Sequence, residues 1–171
     1  MQNALRKWLE EERKTRVLVV DDESPVRNFV CACLGRDGLD CVEAADGQDA
    51  LERLDQQEFS LVIMDLKMPR LGGMELMKRL KEKRLDVTTI VLTGHGDVEE
   101  AVEATRLGAY DFICKPVDPK RLSMAVARAR EYRSLLAENK SLLRRVRNAP
   151  VFGDLIGASP AMLDVFRVAA Q

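Results

Sequence analysis

The chain has 171 residues, 46% of them hydrophobic and 32% charged, which describes a soluble globular chain with one well-cored domain and an appendage. Lys and Arg number 27 against 28 Asp and Glu, so the basic excess expected of a nucleic-acid surface is missing. No apolar run reaches the length of a membrane span, and the opening MQNALRKWLEEERKTR is too charged for a secretory signal.

Residues 1–14 hold Leu5, Trp8, Leu9 and Glu12, a spacing that suggests a short helical extension anchored by Trp8. RVLVV (16–20) then reads as a buried strand, being short, apolar and β-branched. Asp21 and Asp22 follow at once. Ser24 as N-cap and Pro25 at the first helical position open a helix with Val26, Phe29, Val30, Cys33 and Leu34 on its apolar face. CVEAA (41–45) is a second strand, and Asp46 caps a helix carrying Ala50, Leu51 and Leu54. SLVIMD (60–65) is a third strand, apolar until Asp65. A loop with Pro69, Gly72 and Gly73 leads into the helix MELMKRLKEK. TTIVLT (88–93) is the fourth strand, residues 97–108 a helix closed by Gly108, and AYDFICKP (109–116) the fifth strand. A long helix begins near Asp118-Pro119.

Alternating strands and helices imply an α/β fold, a parallel sheet with helices on both faces. Ligands of such sheets bind beyond the carboxyl ends of the strands. There the sequence gathers Asp21 and Asp22 after strand one, Asp65 after strand three, Thr93 after strand four and Lys115 after strand five. Singly, each has a plain explanation: an acidic pair before a helix is often a cap, a strand-end Asp a solvated turn residue, a Thr a strand former. Together at one edge they point to chemistry. Three crowded carboxylates repel one another, and a divalent cation removes the conflict. The oxygen set suits Mg²⁺. Lys115 and Thr93 add an ammonium and a hydroxyl, completing a cradle for a phosphoryl group, and Asp65 can itself be the nucleophile.

The four cysteines, Cys31, Cys33, Cys41 and Cys114, include no Cys-x-x-Cys pair and read as reduced, mostly buried residues of a cytoplasmic protein. His95, the only histidine, reads as a loop residue beside Thr93, with a tuning role as the alternative.

VVDDE, MDLKMP around Asp65, LTGHGD around Thr93 and YDFICKP around Lys115 occur in order over residues 15–130. In this the chain resembles the receiver domains of two-component response regulators. The resemblance implies a flavodoxin-like, doubly wound five-stranded sheet of order 2-1-3-4-5. It implies that Asp65 accepts a phosphoryl group from a sensor histidine kinase. It further implies Mg²⁺ held by Asp21, Asp22, Asp65 and the backbone carbonyl of Lys67, with Asp21 acting largely through water. Lys115 would pair with phosphoryl oxygens, and its bond to Pro116 would be cis. Thr93 would swing toward the phosphate, Gly94 would leave it accessible, and Phe112 would be the switch aromatic. Gly72-Gly73 stands where many members have Asp-Gly, from which a looser loop is expected.

The last helix continues without Gly or Pro to about Val146. Tyr132, Leu135, Asn139, Leu142 and Val146 follow a 3-4-3-4 spacing with Asn139 at an a position, which predicts a parallel coiled coil (119–148) holding a homodimer. A register through Tyr132, Leu136, Asn139, Leu143 and Val146 fits nearly as well, and a single amphipathic helix lying on a following domain is the alternative. The basic RRVR (144–147) reads as a solvated face, with no nucleic-acid contact by this chain.

Pro150 ends that helix, and in 151–171 Ser159 caps another with Pro160 in its first turn. LIGASPAM resembles the opening of the AAA+ ATPase domain in sigma-54-dependent activators of the NtrC-like group, whose receivers the 92–116 stretch also resembles. The chain thus reads as the truncated front of such an activator, with ATPase and DNA-binding domains as its partners in the full-length protein. It carries no Gly-x-x-x-x-Gly-Lys-Ser/Thr loop, so ATP hydrolysis is not expected of it. Two other readings stay open. A Mg²⁺-dependent aspartyl-phosphate phosphatase would want a second Asp two residues after the nucleophile, where Lys67 stands. A purely structural dimerisation module would not need the complete acidic set.

Overall fold

The structure, a computed structural model, describes residues 16–94, 98–147, 151–152 and 155–156. In chain order the main elements are β1 (Arg16–Val20), α1 (Ser24–Arg36), β2 (Asp40–Ala44), α2 (Gly47–Gln56), β3 (Leu61–Asp65), α3 (Gly73–Glu82), β4 (Thr88–Thr93), α4 (Val98–Leu107), β5 (Asp111–Cys114) and α5 (Pro119–Arg147). The five strands are all parallel, in the order β2-β1-β3-β4-β5, which is the flavodoxin-like arrangement.

Alternation along each strand builds two cores. Val17, Val19, Ile63, Ile90, Leu92 and Ile113 face one layer, where Val30 and Leu34 of α1 and Leu122 and Val126 of α5 cover them. Leu18, Val20, Val62, Met64 and Val91 face the other, against Leu51 of α2, Leu76 and Leu80 of α3 and Ala104 of α4. Central strands buried on both faces have no polar side to show, which is why they read as unbroken apolar runs.

Local details depart from expectation. The N-cap of α1 is Glu23, with no side-chain capping bond, and Ser24 is already helical because Pro25 fixes the first turn. Phe29 is 42% exposed, so the apolar face of α1 is narrower than its sequence suggests. Asp46 does cap α2, its Oδ1 accepting from Gln48 N at 2.8 Å and Asp49 N at 3.0 Å. The loop before α3 is not loose. Gly73 N donates to Leu66 O at 3.0 Å, Gly47 N to Leu71 O at 3.0 Å, and Arg70 pairs with the buried Asp46. Gly73 is required there: a Cβ would stand 2.2 Å from Asp65 O.

The chain divides into two compact units, 1–131 and 132–171. In the second, α5 presents Tyr132, Leu135, Leu136, Asn139, Leu142 and Leu143 as exposed residues, so both heptad registers are open and neither is singled out. Val151–Phe152 and Leu155–Ile156 form an antiparallel two-stranded ribbon that the sequence reading did not include. Residues 1–14, His95, the side chain of Val146, and Ser159 with its expected helix lie outside the described residues. No helix among the described residues is long and apolar enough to cross a membrane.

Candidate functional site

The carboxyl ends of β1, β3, β4 and β5 bring together Asp21, Asp22, Asp65, Thr93 and Lys115, as the strand order requires. Asp21 is fully buried and Asp65 is 7% exposed, while Asp22 faces solvent. One carboxylate oxygen from each of the three lies within 4.8 Å of the others. Asp21 Oδ1 accepts from Glu23 N at 2.9 Å, and Asp65 Oδ1 from Lys67 N at 3.1 Å, so backbone N–H groups orient both acids.

Lys115 reaches across the sheet edge. Its Nζ donates to Asp65 Oδ2 at 2.5 Å and lies 3.4 Å from Glu23 Oε1. It also forms an ion pair with Asp21 Oδ2 at 2.8 Å, which offsets the charge of that buried oxygen while leaving it without a hydrogen-bond donor. Burial, helped by the nearby Asp65 charge, holds the Asp21 carboxyl above its usual range despite Lys115 and the Glu23 N–H. Burial pulls the Lys115 ammonium the other way, but the attraction of the Asp21 and Asp65 carboxylates outweighs that and raises it.

An oxygen-only donor set with a donor-less buried carboxylate oxygen fits a hard divalent cation, Mg²⁺ above all. Asp21, Asp22 and Asp65 are the side chains that could hold it.

Thr93 is buried and its Oγ1 lies 3.8 Å from Cys114 Sγ, the residue paired with it in the β4–β5 ladder. Gly94 beside it is half-buried. Phe112 points outward, 38% exposed, with the Arg121 guanidinium 5.9 Å from its ring centroid. The Lys115–Pro116 bond is cis. The Lys67 side chain turns away to Glu100, at 3.4 Å.

Sequence reading missed three participants. Glu23 completes the acidic rim around Lys115. Arg27, one turn into α1, donates from Nη1 to the carbonyls of Asp21 at 2.7 Å and Asp22 at 3.2 Å, clamping the acidic loop. Cys114, expected to be buried, is exposed next to Thr93, and only Cys33 of the four thiols is buried. The signal for Glu23 was its adjacency to the acidic pair; the other two depend on contacts that spacing does not reveal.

Comparison with known proteins agrees with this geometry. The family model for the response regulator receiver domain matches residues 17–127. The C4-dicarboxylate transport transcriptional regulatory protein DctD of Pseudomonas aeruginosa is 38% identical over 153 residues, 88% of this chain and 33% of that protein. The DNA-binding transcriptional regulator NtrC of Escherichia coli K12 is 34% identical over 152 residues, 89% of this chain and 32% of that protein. The chain therefore spans about a third of the length of these curated relatives. Among solved structures, the receiver domain of NtrX from Brucella abortus superposes with TM-score 0.65 at 37% identity, covering 67% of this chain and 98% of that one. NtrX of the same organism in complex with ATP gives TM-score 0.72 at 32% identity, covering 92% of this chain and 34% of that one. Fold, site and comparisons converge: the chain belongs to the response regulator receiver domain family.

Proposed function

We propose that this chain is the phospho-accepting receiver of a two-component system, with Asp65 taking the phosphoryl group from a phosphohistidine of a sensor kinase. The observation that carries this reading is Asp65 Oδ2 on Lys115 Nζ at 2.5 Å, beside two further carboxylates. In the transfer, a carboxylate oxygen of Asp65 forms the new P–O bond as the P–N bond to the donor imidazole breaks, and the imidazole nitrogen takes up a proton. Asp21, Asp22, Asp65 and the Lys67 carbonyl would hold Mg²⁺, which would supply charge neutralisation for the phosphoryl oxygens. Lys115 leaves its carboxylate partners for a phosphoryl oxygen, and the Thr93 hydroxyl donates to another. Asp65 is fixed by the Lys67 N–H, which limits its motion during attack. The groove of about 600 Å³ lined by Glu23, Val26, Phe29, Lys115 and Val117 reaches the site at Lys115, and in this reading it seats the donor protein.

Phosphorylation adds charge at the sheet edge and draws Lys115 and Thr93 toward it. In this reading Thr93 vacates space beside Cys114, Phe112 turns inward, and the surface of α4 and β5 changes. The output is an altered homodimer through Tyr132, Leu135, Asn139, Leu142 and Val146 of α5. Its targets are the ATPase and DNA-binding domains of a sigma-54-dependent activator. The coupling is bounded by the difference in phosphate interaction between the two states.

The test is labelling by acetyl phosphate with Mg²⁺. Wild type should gain one phosphoryl group and Asp65→Asn none. Labelling that persists in Asp65→Asn would remove Asp65 from the role, and turnover of a small phosphate ester beyond one equivalent would restore the phosphatase reading.

A further inference from the structure

Two cysteines meet between α1 and the edge strand β2, outside the acidic site. Arg27 and Cys31 are one helical turn apart on α1. Cys41 and Glu43 are two apart on β2 and therefore share a face of the strand. Arg27 Nε to Glu43 Oε2, at 3.1 Å, fixes how helix and strand align. A helical turn advances about 5.4 Å and two strand residues about 6.6 Å. Helix and strand run in opposite directions, as in any right-handed βαβ unit. Stepping from Arg27 to Cys31 thus matches stepping back from Glu43 to Cys41. This register sets the two thiols beside each other, each half-buried against the same core layer.

The pair is asymmetric. The neighbouring Cys41, with burial, pushes the Cys31 thiol up. The nearby Cys31 thiol brings Cys41 down, against its burial and the carboxylates of Asp40 and Glu43. Cys41 is accordingly the sulfur that reaches the thiolate form first and is the better nucleophile.

We infer that Cys31 and Cys41 are a reversible dithiol–disulfide site that fastens α1 to β2 in exchange with low-molecular-weight disulfides. The Cys41 thiolate attacks one sulfur of the small disulfide, whose S–S bond breaks, and one small thiolate leaves and takes up the proton Cys41 gave up. Cys31 then loses its proton to solvent, attacks the Cys41 sulfur of the mixed disulfide, and expels the second small thiolate, which is protonated in turn. Two protein thiols are oxidised, and one disulfide is reduced to two thiols. Intracellular disulfides of mesophiles are commonly transient and redox-sensing, and this site fits that class. The cross-link falls one turn along α1 from Arg27, whose guanidinium holds the Asp21 and Asp22 carbonyls, so oxidation fixes the helix that clamps the acidic loop. The inference stands apart from the phosphoryl reading, since no acidic-site group takes part.

The experiment equilibrates the folded 171-residue chain with reduced and oxidised glutathione, quenches with acid, alkylates free thiols and maps disulfides by mass spectrometry. The expected product is one intramolecular Cys31–Cys41 disulfide, exceeding any other pairing by about ten-fold or more, reversed by excess reduced glutathione. Iodoacetamide should label Cys41 faster than Cys31 in the reduced protein. Cys33→Ser and Cys114→Ser should keep the disulfide. A glutathione adduct on Cys41 that never resolves, or pairing through Cys33 or Cys114, would overturn the inference. So would a Cys31–Cys41 disulfide that forms only in denaturant.

Discussion

Lys115 Nζ stands 2.5 Å from Asp65 Oδ2, joining the end of β5 to the end of β3 across the intervening strand β4. The same ammonium offsets the buried charge of Asp21. One cation thus answers for two carboxylates that the sheet edge forces together. Removing it by Lys115→Met leaves both acids without their counter-charge. We expect the metal-free protein to lose about 2–4 kcal/mol in urea unfolding, with Mg²⁺ restoring part of the loss.

Asp21→Asn should act in the opposite sense on stability. Burial holds the Asp21 carboxyl above its usual range, so the folded state binds that proton more tightly than the unfolded chain. Its charged form opposes folding at neutral pH, and this cost fades as pH falls through the raised value. Asn keeps an acceptor for Glu23 N without the charge. The metal-free variant should melt a few degrees higher, the response of a domain this size to about 1 kcal/mol, and should show no further rise on adding Mg²⁺. Melting curves with and without the cation decide it.

Two glycines should respond oppositely to a methyl group. Gly73→Ala drives a Cβ to 2.2 Å from Asp65 O, so the loop beside Asp65 must move. A loss of about 2–3 kcal/mol and slower labelling by acetyl phosphate are expected. Gly35, in α1, has nothing within 4 Å of its Cβ position, and Gly35→Ala should gain about 0.5–1 kcal/mol. Thermal denaturation of the two variants tests both signs.

Leu135 is 59% exposed and Leu142 50% exposed within the chain. If these positions form the dimer seam, the double substitution to Glu should yield a monomer by light scattering while leaving the receiver's melting temperature unchanged. Beryllofluoride with Mg²⁺ should alter the mass or shape of wild type and not of the variant. A dimer that survives the double substitution places its interface elsewhere.

The sheet was legible because β1, β3 and β4 are buried on both faces, and such strands write themselves as short apolar runs ending in an acid or a hydroxyl. The placement of Asp21, Asp65, Thr93 and Lys115 followed from parallel topology alone. What escaped depends on side chains meeting across long separations. The pinning of the loop before α3 needs Arg70 to find Asp46, and the clamp on the acidic loop needs Arg27 to turn back over its own helix end. The capping position of α1 shifted from Ser24 to Glu23 because Pro25 draws Ser24 into the first turn, and Glu23 takes the position without a side-chain capping bond. The exposure of Cys114 reflects strand alternation at a sheet edge, where Ile113 takes the inward position.

The site's five polar contributors come from four different strand ends, and apart from the adjacent Asp21 and Asp22 none neighbours another until the sheet has closed. An incompletely folded copy therefore has no assembled acidic edge. If Asp65 is the phosphoacceptor proposed above, only finished molecules can be switched, and the site doubles as a check on its own assembly.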